Sequence, residues 1–306
     1  MAHPPQDGKS GLVTPEEMAA AIESSGYLLE ARAARVLNER GFFVQPNAFW
    51  MDPNDITKPI EVDVVGRSFE WVNEENKSTA TASVLVECKN NAQPFAFFVQ
   101  RQEITELNDS RIQYGGFPSF SMDQETKVQV PLHKLLEMKN WHHYCRATEV
   151  ATQFCSFTRA NEKKKWKAEP NENYAKSFSN LALTATRDCE GMFGLQLQNI
   201  QVQMSYPVVV FGGPIYRALG EQGKAKVEAA SHIQLHHFGT LSGQVLPVQI
   251  DLVTEAEFPV LIETILSELK TFRDRINLHY DRLLNSALDQ KRVASKNAVL
   301  RTVSRL

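Results

Sequence analysis

The chain has 306 residues, of which 42% are hydrophobic and 23% are charged, and its formal net charge at pH 7 is −3. This composition predicts a folded protein with a sizeable core and excludes a disordered chain. No apolar run reaches the roughly 18–20 residues that a membrane-spanning helix needs, so no membrane segment is expected. Because the net charge is acidic, any binding to nucleic acid would require a local basic surface.

Signals of processing, redox state and domain division are weak along the chain. Residues 1–14 lack the charged and then apolar pattern of a signal peptide, which predicts a flexible leader. The four cysteines show no C-x-x-C spacing, as expected for a reduced, cytoplasmic protein. No linker rich in proline, glycine or serine divides residues 15–290, so one α/β domain is expected there.

Residues 291–306 have five basic residues and no acid, which predicts a basic tail that contacts nucleic acid or a partner protein, or is merely solvated.

The first helix has a clear start. Thr14 is a suitable N-cap, and Glu17 completes a capping box. The helical pattern breaks near residues 24–26 and ends by Gly41. In its second half, Glu30 falls on the apolar face, where a carboxylate is costly to bury. Glu30 is therefore either a functional acid or a residue at the edge of the apolar stripe whose carboxylate reaches water.

Residues 60–66 and 83–89 are predicted as two β-strands joined by a hairpin connection near residues 73–78. Side chains alternate between the two faces of a strand, so each strand has apolar residues on one face and ionisable residues on the other. Pairing of the strands would bring together three ionisable side chains: Asp63, Glu87 and Lys89. The simpler alternative is a pair of amphipathic strands with a solvated, charged face.

The chemistry of such a cluster is specific. Neighbouring carboxylates repel each other unless a cation lies between them, and hard oxygen ligands favour Mg²⁺ or Mn²⁺ over zinc. An ion of this kind stabilises charge on a phosphoryl oxygen and lowers the pKa of a bound water, which becomes a nucleophile. A lysine beside the acids holds that water or stabilises the transition state. The cluster therefore suits metal-dependent hydrolysis of phosphodiester bonds.

Asp63 and the segment Glu87-Cys88-Lys89 resemble the signature of the PD-(D/E)XK, or restriction-endonuclease-like, nuclease superfamily, which has an Asp on one strand and Glu-x-Lys on the next. The predicted order of helix, strand, hairpin and strand agrees with that superfamily. Val62 stands where the superfamily signature has proline. The 24 positions from Asp63 to Glu87 also imply an embellished turn between the strands.

The resemblance implies an α/β fold with a restriction-endonuclease-like core at about residues 15–130. This core is a mixed central β-sheet flanked by helices, and a further α/β part extends it towards the C-terminus. The resemblance also implies that Asp63 and Glu87 bind Mg²⁺ or Mn²⁺ and that Lys89 positions the attacking water. Glu30 would support a ligand or a second ion.

Many members of the superfamily have a helix after the Glu-x-Lys strand, and this helix carries a polar residue that faces the site. The resemblance therefore implies a helix after Pro94, on which Gln100, ahead of Gln102, would contact the site and its nucleic acid. A glutamine on the protein surface is the alternative description of either residue.

Residues 131–160 have the apolar periodicity of a helix. His142, His143 and Cys145 within it raise the possibility of zinc ligands. Their spacing fits no closed four-ligand pattern, however, and no second pair lies at finger distance. Ordinary roles on a helix are therefore predicted for all three.

Residues 161–173 are polar and basic, with lysines on both sides of Trp166. Lysines beside an exposed aromatic ring suit phosphate contacts combined with base stacking. The predicted nucleic-acid contacts are Lys163, Lys164, Lys165 and Lys167. A solvated loop without a ligand explains the same charges equally well.

Three further strands are predicted in the C-terminal half, at residues 206–211, 232–237 and 246–253. A long helix is predicted to follow them over residues 255–284. These elements are expected to extend the sheet that carries the ionisable cluster rather than to form a separate domain.

The expected function is that of a Mg²⁺-dependent endonuclease acting on DNA, as the nuclease component of an antiviral defence or repair system by analogy with the superfamily. Many members cleave as dimers, so a homodimer or a partner protein in a larger assembly is expected. RNA as the substrate is left open by the sequence. The alternative is a catalytically inactive nuclease-fold module that binds nucleic acid or a protein partner.

Overall fold

The computed structural model describes residues 13–52, 55, 57–91, 93–102, 111–116, 120–122, 128–159, 165–190, 199–221, 223–241, 244–286 and 288. The predicted basic tail and most of the predicted leader lie outside these residues. The described helices are α1 (Pro15–Ser24), α2 (Tyr27–Glu39), α3 (Leu132–Leu135), α4 (His143–Arg146), α5 (Glu172–Glu190) and α6 (Phe258–Leu278). The described strands are β1 (Phe43–Met51), β2 (Pro59–Asn73), β3 (Ser78–Lys89), β4 (Phe95–Arg101), β5 (Gln113–Gly115), β6 (Phe120–Met122), β7 (Gln129–Pro131), β8 (Glu149–Arg159), β9 (Trp166–Glu169), β10 (Gln201–Phe211), β11 (Ile215–Glu221), β12 (Lys224–Ala230), β13 (His232–Leu241) and β14 (Gln244–Thr254).

The first two helices begin and end where the sequence predicts. Thr14 Oγ1 accepts the backbone N–H of Glu17 at 3.2 Å, and the Glu17 carboxylate accepts the Thr14 N–H at 2.9 Å. This capping box satisfies two N–H groups that have no partner inside the helix. A bend at Ser25 and Gly26 separates α1 from α2. Gly41, with φ +79°, follows α2 in the left-handed conformation that glycine adopts without steric cost.

Among the described residues, one mixed sheet contains twelve strands, drawn from both halves of the chain. Its main order is β1-β2-β3-β10-β14-β13-β8-β4-β11-β12, with β5 on β10 and β9 on β8, while β6 and β7 form a separate pair. At its centre, β10 lies parallel to both β3 and β14. The carboxyl ends of these three strands meet at Lys89, Phe211 and Thr254, a border of the sheet that we call the carboxyl edge.

Helices cover both faces of this sheet. On one face, Leu37 of α2 and Ile262 of α6 are buried with Val86. On the other, Phe178 of α5 is buried with Leu85. β10 is buried on both sides along nearly its whole length, so its sequence is an almost continuous apolar run. The fold is therefore α/β, with a large mixed sheet between helices.

The described helices include none with the length and apolar character needed to cross a membrane.

The hairpin formed by β2 and β3 is longer than predicted. The two strands pair antiparallel almost to the turn at residues 74–77. The 24 positions from Asp63 to Glu87 are therefore taken up by strand, and the expected embellished turn is wrong. Residues 78–82 contain only serine, threonine and alanine, and pairing with β10 rather than a strong apolar pattern makes them strand.

The helix predicted over residues 131–160 is wrong. The structure has the short helices α3 and α4, a 3₁₀ turn at Met138–Asn140 between them, and then β8. Glu137 adopts φ +52°, a left-handed conformation that interrupts a helix. Val150 and Ala151 begin a segment that pairs with β4, and this pairing overrides the apolar periodicity.

The helix implied directly after the Glu-x-Lys strand is also wrong, because residues Phe95–Arg101 form β4. An apolar run of this length is compatible with a buried helix or a buried strand, and its pairing with β8 decides for the strand. Gln100 lies near the far end of β4, where its Nε2 donates to Thr152 Oγ1 at 3.2 Å, and Gln102 accepts from Arg111. Neither glutamine is brought to the ionisable cluster.

Candidate active site

Asp63 lies at the point where β2 and β3 cease to pair. Val64 opposite Val86 is the last pair of their ladder, so Asp63 and Glu87 come next on the two strands. Asp63 Oδ2 accepts the backbone N–H of Cys88 at 2.7 Å. The carboxylate of one strand is thereby fixed against the backbone of the Glu-x-Lys segment on the other.

The alternation of β2 is interrupted around Asp63. Val62 packs in the core under α5, whereas Val64, two residues later, packs with α2 and α6. On β1, Asn47 has φ +49°, and the β1–β2 ladder omits a pair between Asn47 and Asp63. An irregularity of this kind redirects side chains at the border of a sheet. The expectation that Val62 and Val64 share one face is therefore wrong.

Glu87 and Lys89 lie against α5. Lys89 Nζ is 2.5 Å from Glu87 Oε1, and their side chains are only 18% and 13% exposed, respectively. The Ser177 side chain of α5 lies against the Glu87 carboxylate and lowers its pKa. Lys89 Nζ also lies 5.5 Å from the centre of the Tyr174 ring, within the range of a cation–π contact. The helix that supports the cluster is thus α5, which lies far along the chain from Lys89.

Burial raises the pKa of both Asp63 and Glu87, because an ionised carboxylate loses hydration there. The charge of Asp63 raises the pKa of Glu87 further, while Lys89 lowers the pKa of each. The Cys88 N–H also lowers the pKa of Asp63. Two half-buried carboxylates that disfavour each other's ionisation form an arrangement that a bound cation would relieve.

Glu30 of α2 lies within electrostatic reach of these acids. Burial, followed by the charges of Asp63 and Glu61, raises the pKa of Glu30, whereas Lys89 lowers it. The structure thus brings Glu30 to the side of the cluster from the helix that the sequence indicates. It also adds Glu61, an exposed acid of β2 whose charge raises the pKa of both Glu30 and Asp63. We refer to Asp63, Glu87, Lys89 and Glu30 as the carboxylate cluster.

An open cleft of about 720 Å³ lies along the carboxyl edge, lined among others by Arg32, Arg35, Gly212 and Glu255. Arg32 donates two hydrogen bonds to the Glu255 carboxylate. The Gly212 N–H donates to the Lys89 carbonyl at 3.0 Å, which joins the cleft to the carboxylate cluster. In open α/β sheets, ligands bind in the crevice outside the carboxyl ends of the strands.

The predicted basic segment is partly described, and it contributes to a hairpin formed by β8 and β9. Lys163 and Lys164 lie outside the described residues, whereas Lys165 is exposed. Lys167 Nζ lies 2.7 Å from Glu169, so part of its charge is neutralised.

Trp166 and Arg159 form a cross-strand pair on this hairpin. Trp166 is 57% exposed, and the guanidinium carbon of Arg159 lies 5.8 Å from the centre of its ring. The hairpin begins where Ser156 pairs with Phe95, whose ring lies 4.5 Å from that of Tyr174. Phe157 packs on the face of β8 opposite α5, and alternation along the strands places Arg159 and its partner Trp166 on that same face.

A second, buried group of ionisable residues lies on the face of the sheet covered by α6. His143 Nδ1 is 3.0 Å from both carboxylate oxygens of Glu268, and His143 Nε2 is 3.1 Å from Asp251 Oδ2. Tyr206 donates to Glu268 at 3.2 Å, and Tyr144 donates to Asp251 at 2.8 Å. We call these five residues, together with His142, the histidine cluster.

The charges within the histidine cluster are strongly coupled. Burial would lower the pKa of His143, but the charges of Glu268 and Asp251 raise the pKa to about 10. Burial would raise the pKa of Asp251, but His143 and His232 hold it well below its usual range. No local pattern reveals this cluster, because His143 and Glu268 are 125 positions apart. His142 and His143 stand at the start of α4, and the predicted ordinary helical roles did not include these buried contacts with distant carboxylates.

No protein-family model matches this chain, and no curated protein or solved structure gives a significant match. The comparisons therefore bring no known function to the arrangement of Asp63, Glu87 and Lys89. Its function has to be inferred from its chemistry.

Proposed function

We propose that this chain is a Mg²⁺-dependent nuclease that hydrolyses phosphodiester bonds in DNA. The observation that carries the proposal is the position of Asp63 and Glu87 at the end of one β-ladder, with the Lys89 ammonium 2.5 Å from Glu87. Two acids and a lysine in this arrangement supply the ligands and the positive charge that metal-dependent phosphodiester hydrolysis uses.

The donor atoms fit a hard divalent cation. Among the described residues, Asp63 and Glu87 each accept one hydrogen bond, while a carboxylate offers about four acceptor positions. Asp63 and Glu87 would therefore hold Mg²⁺ or Mn²⁺ through oxygen, the donor that both ions prefer. The ion would lower the pKa of the attacking water and stabilise charge on the phosphoryl oxygens.

Lys89 would hold the attacking water and stabilise the negative charge that develops on the phosphate. Its ammonium is confined between Glu87 and the Tyr174 ring, so it is oriented before the substrate arrives. An ammonium has three N–H donors, which leaves donors for water and phosphate beside the bond to Glu87. Glu30, whose pKa responds to the charge of Asp63, would support a ligand or a second ion from α2.

The order of elements around the cluster supports the resemblance to the restriction-endonuclease-like superfamily. α2 is followed by β1 and by the β2–β3 hairpin, and α5 precedes β10, which pairs with β3. α5 also supplies the polar residue that contacts Glu87, Ser177, in the role predicted for Gln100. These elements would form the nuclease core, and the later strands would extend it.

DNA is the proposed partner because the β8–β9 hairpin combines a stacking surface with basic charge. Trp166 and Arg159 offer an exposed ring and a guanidinium plane, and Lys165 is exposed beside them. Aromatic rings that stack on bases within a basic surface bind unpaired nucleic acid with little sequence preference. The same surface would accept RNA, so an RNA strand belongs in the cleavage assay.

A catalytically inactive nuclease-fold module is the second candidate, and one contact favours it. The Lys89–Glu87 ion pair neutralises Glu87 within the protein, so no metal is needed to balance that charge. A module of this kind would bind nucleic acid or a protein partner through the Trp166 hairpin or the cleft without cleaving it.

Cleavage of supercoiled plasmid DNA distinguishes the two candidates. Wild type, Lys89→Ala and the control Lys270→Ala, which removes an exposed lysine of α6, are each compared with Mg²⁺, Mn²⁺ or EDTA. The expected result is nicking or linearisation by wild type and Lys270→Ala, abolished by EDTA and by Lys89→Ala. Cleavage by Lys89→Ala at the wild-type rate would show that Lys89 is not needed for the reaction.

A lack of cleavage with every ion would point either to a missing activator or to an inactive site. Isothermal titration with Mn²⁺ separates these outcomes. Binding that disappears in Asp63→Asn would indicate an intact metal site that awaits a partner. An absence of Mn²⁺ binding by the wild type would favour the inactive module.

A further inference from the structure

We propose that His142, His143 and Glu268 hold a structural zinc ion, at a site separate from the carboxylate cluster and independent of nuclease activity. One nitrogen of each histidine and one oxygen of Glu268 lie within 4.8 Å of one another. Imidazole nitrogens are favoured ligands of zinc, and two histidines with one glutamate are a known zinc donor set. The site joins the start of α4 to α6.

One atom at this site lacks a partner. His142 is fully buried, and its Nε2 has no hydrogen-bond partner among the described residues. The nearest carboxylate oxygen, Oε2 of Glu268, lies 3.9 Å away, which is too far for a hydrogen bond. Buried polar atoms in folded proteins almost always have a partner. An ion between His142 and Glu268 would give His142 Nε2 that partner.

The second histidine is already oriented as a metal ligand would be. His143 Nε2 lies 3.1 Å from Asp251 Oδ2, and Asp251 itself accepts from Tyr144 at 2.8 Å and lies 2.8 Å from His232 Nε2. A histidine that binds a metal through one nitrogen usually gives its other N–H to a carboxylate. Asp251 therefore fixes the His143 ring with Nδ1 directed at Glu268.

The charge of the site also suits a divalent ion. Asp251 is fully buried and Glu268 is 5% exposed, so two negative charges lie in the interior. A Zn²⁺ ion bound by two neutral imidazoles and Glu268, with Asp251 behind His143, carries no net charge. Buried charges are otherwise expensive unless they are paired.

Zinc would displace the proton that His143 Nδ1 shares with Glu268, which is released to solvent, and binding also requires two local adjustments. Glu268 lies 3.0 Å from His143 Nδ1, and zinc needs about 2.0–2.1 Å to each donor, so the carboxylate must shift by a fraction of an ångström. His142 Nδ1 now accepts the Tyr144 N–H at 3.2 Å, and a ring that binds through Nε2 carries its proton on Nδ1. That cap bond is therefore lost. One cap hydrogen bond is worth far less than the binding of a structural zinc ion.

The ion would stabilise the fold rather than take part in a reaction. His142 and Tyr206 are fully buried, which leaves no room for a substrate beside the ion. Tyr206, whose hydroxyl is 3.2 Å from Glu268 Oε2, is the side chain placed to complete or support the coordination. The zinc would hold the four-residue helix α4 against α6.

Metal content of the full chain tests the inference. Wild type is refolded with excess ZnCl₂ or CoCl₂ and desalted, and bound metal is measured by inductively coupled plasma mass spectrometry together with the visible spectrum of the cobalt form. The expected result is one zinc per chain and the intense absorption of tetrahedral Co²⁺. Cobalt bound to carboxylate oxygens alone would absorb weakly instead. Carrying out the same measurement in Glu87→Gln removes any contribution from the carboxylate cluster.

Two variants locate the ion. His142→Gln and Glu268→Gln should lose the metal and the cobalt spectrum, whereas His237→Gln, which changes a histidine of β13 bonded to Ser179, should retain both. A wild type that holds less than about one tenth of a metal per chain after refolding overturns the proposal, whatever the variants do. Full metal content in His142→Gln overturns the assignment of the ligands. Neither result bears on DNA cleavage.

Discussion

The Asp63 carboxylate accepts the backbone N–H of Cys88 at 2.7 Å. Because Cys88 lies between Glu87 and Lys89, this bond sets the position of the first acid relative to the whole Glu-x-Lys segment. The geometry of the cluster is therefore determined by backbone structure as well as by side-chain packing. Substitutions at Asp63 separate the contribution of the hydrogen bond from that of the charge.

Asp63→Asn keeps an oxygen that can accept the Cys88 N–H but removes the negative charge. We expect the free energy of unfolding without metal to be unchanged or raised, and cleavage to fall at least about 100-fold because the ion loses a ligand. Asp63→Ala leaves the N–H without its partner and should lower the free energy of unfolding by about 1–3 kcal/mol. Urea unfolding in EDTA compares the two variants, and equal stabilities would contradict the assigned bond.

The metal-free protein should lose part of its stability as the pH rises through the raised folded-state pKa values of Asp63 and Glu87. Burial raises the folded-state pKa of Asp63 and Glu87, so between the unfolded and folded pKa values the folded protein binds more protons, and stability falls with rising pH. In Glu87→Gln this fall should be smaller. Urea unfolding in EDTA at several pH values measures the free energy of unfolding of both proteins.

Glu169→Gln is the control, because the pKa of Glu169 is shifted in the direction opposite to that of Glu87. Its hydrogen bond with Lys167 lowers the pKa of Glu169, so any stability that the pair adds is present at higher pH and lost as the pH falls through the folded pKa. If Glu87→Gln and Glu169→Gln changed the pH dependence of the free energy of unfolding in the same direction, burial could not be raising the pKa of Glu87.

Ser177→Ala should shift the pH dependence of Mn²⁺ binding to higher pH. The Ser177 side chain lowers the pKa of Glu87, so its loss raises that pKa, and metal binding needs the deprotonated carboxylate. We expect weaker binding at acidic pH, where more of Glu87 is protonated in the variant, and convergence with wild type at alkaline pH. Ser179→Ala, on the same helix but bonded to His237, should follow the wild-type curve. Identical curves for all three proteins would exclude Ser177 from the site.

Trp166→Ala should weaken binding of single-stranded DNA by about fivefold to 100-fold, the range for loss of one stacked base. Trp71→Ala is the matched control, because Trp71 is 42% exposed but pairs with Thr79, roughly 25 Å from Glu87 at about 3.3 Å per residue. Binding is measured by fluorescence anisotropy in EDTA, with duplex DNA and RNA of the same length for comparison. Unchanged affinity in Trp166→Ala would show that the hairpin is not part of the binding surface.

The hairpin that carries Asp63, Glu87 and Lys89 could be predicted because its signals are local. β-branched runs mark both strands, and the ionisable residues stand at alternate positions within each. Even there, strict alternation failed at Val62, since Asn47 on the neighbouring strand distorts the ladder. Pairing with β10 also lengthened β3 beyond its apolar segment.

The support around the cluster could not be predicted, because it comes from distant segments. The apolar residues before Gln100 suit a helix or a strand equally, and only the partner strand β8 decides between them. α5 then takes the place expected for a helix at residue 95, with Tyr174 and Ser177 facing the lysine and the acid. His143 and Glu268 meet only because α6 packs on the sheet.

The parallel pairing of β10 with β3 and β14 also determines when the site can form during synthesis. β3 ends at Lys89, but its parallel neighbour β10 begins only at Gln201. Arg32 at the cleft likewise pairs with Glu255, 223 positions later. Contacts of such long range form late and slowly in folding. A nascent chain on the ribosome would therefore carry Asp63 and Glu87 without the ordered sheet around them. A DNA-cutting activity would be silent until β14 had emerged and docked.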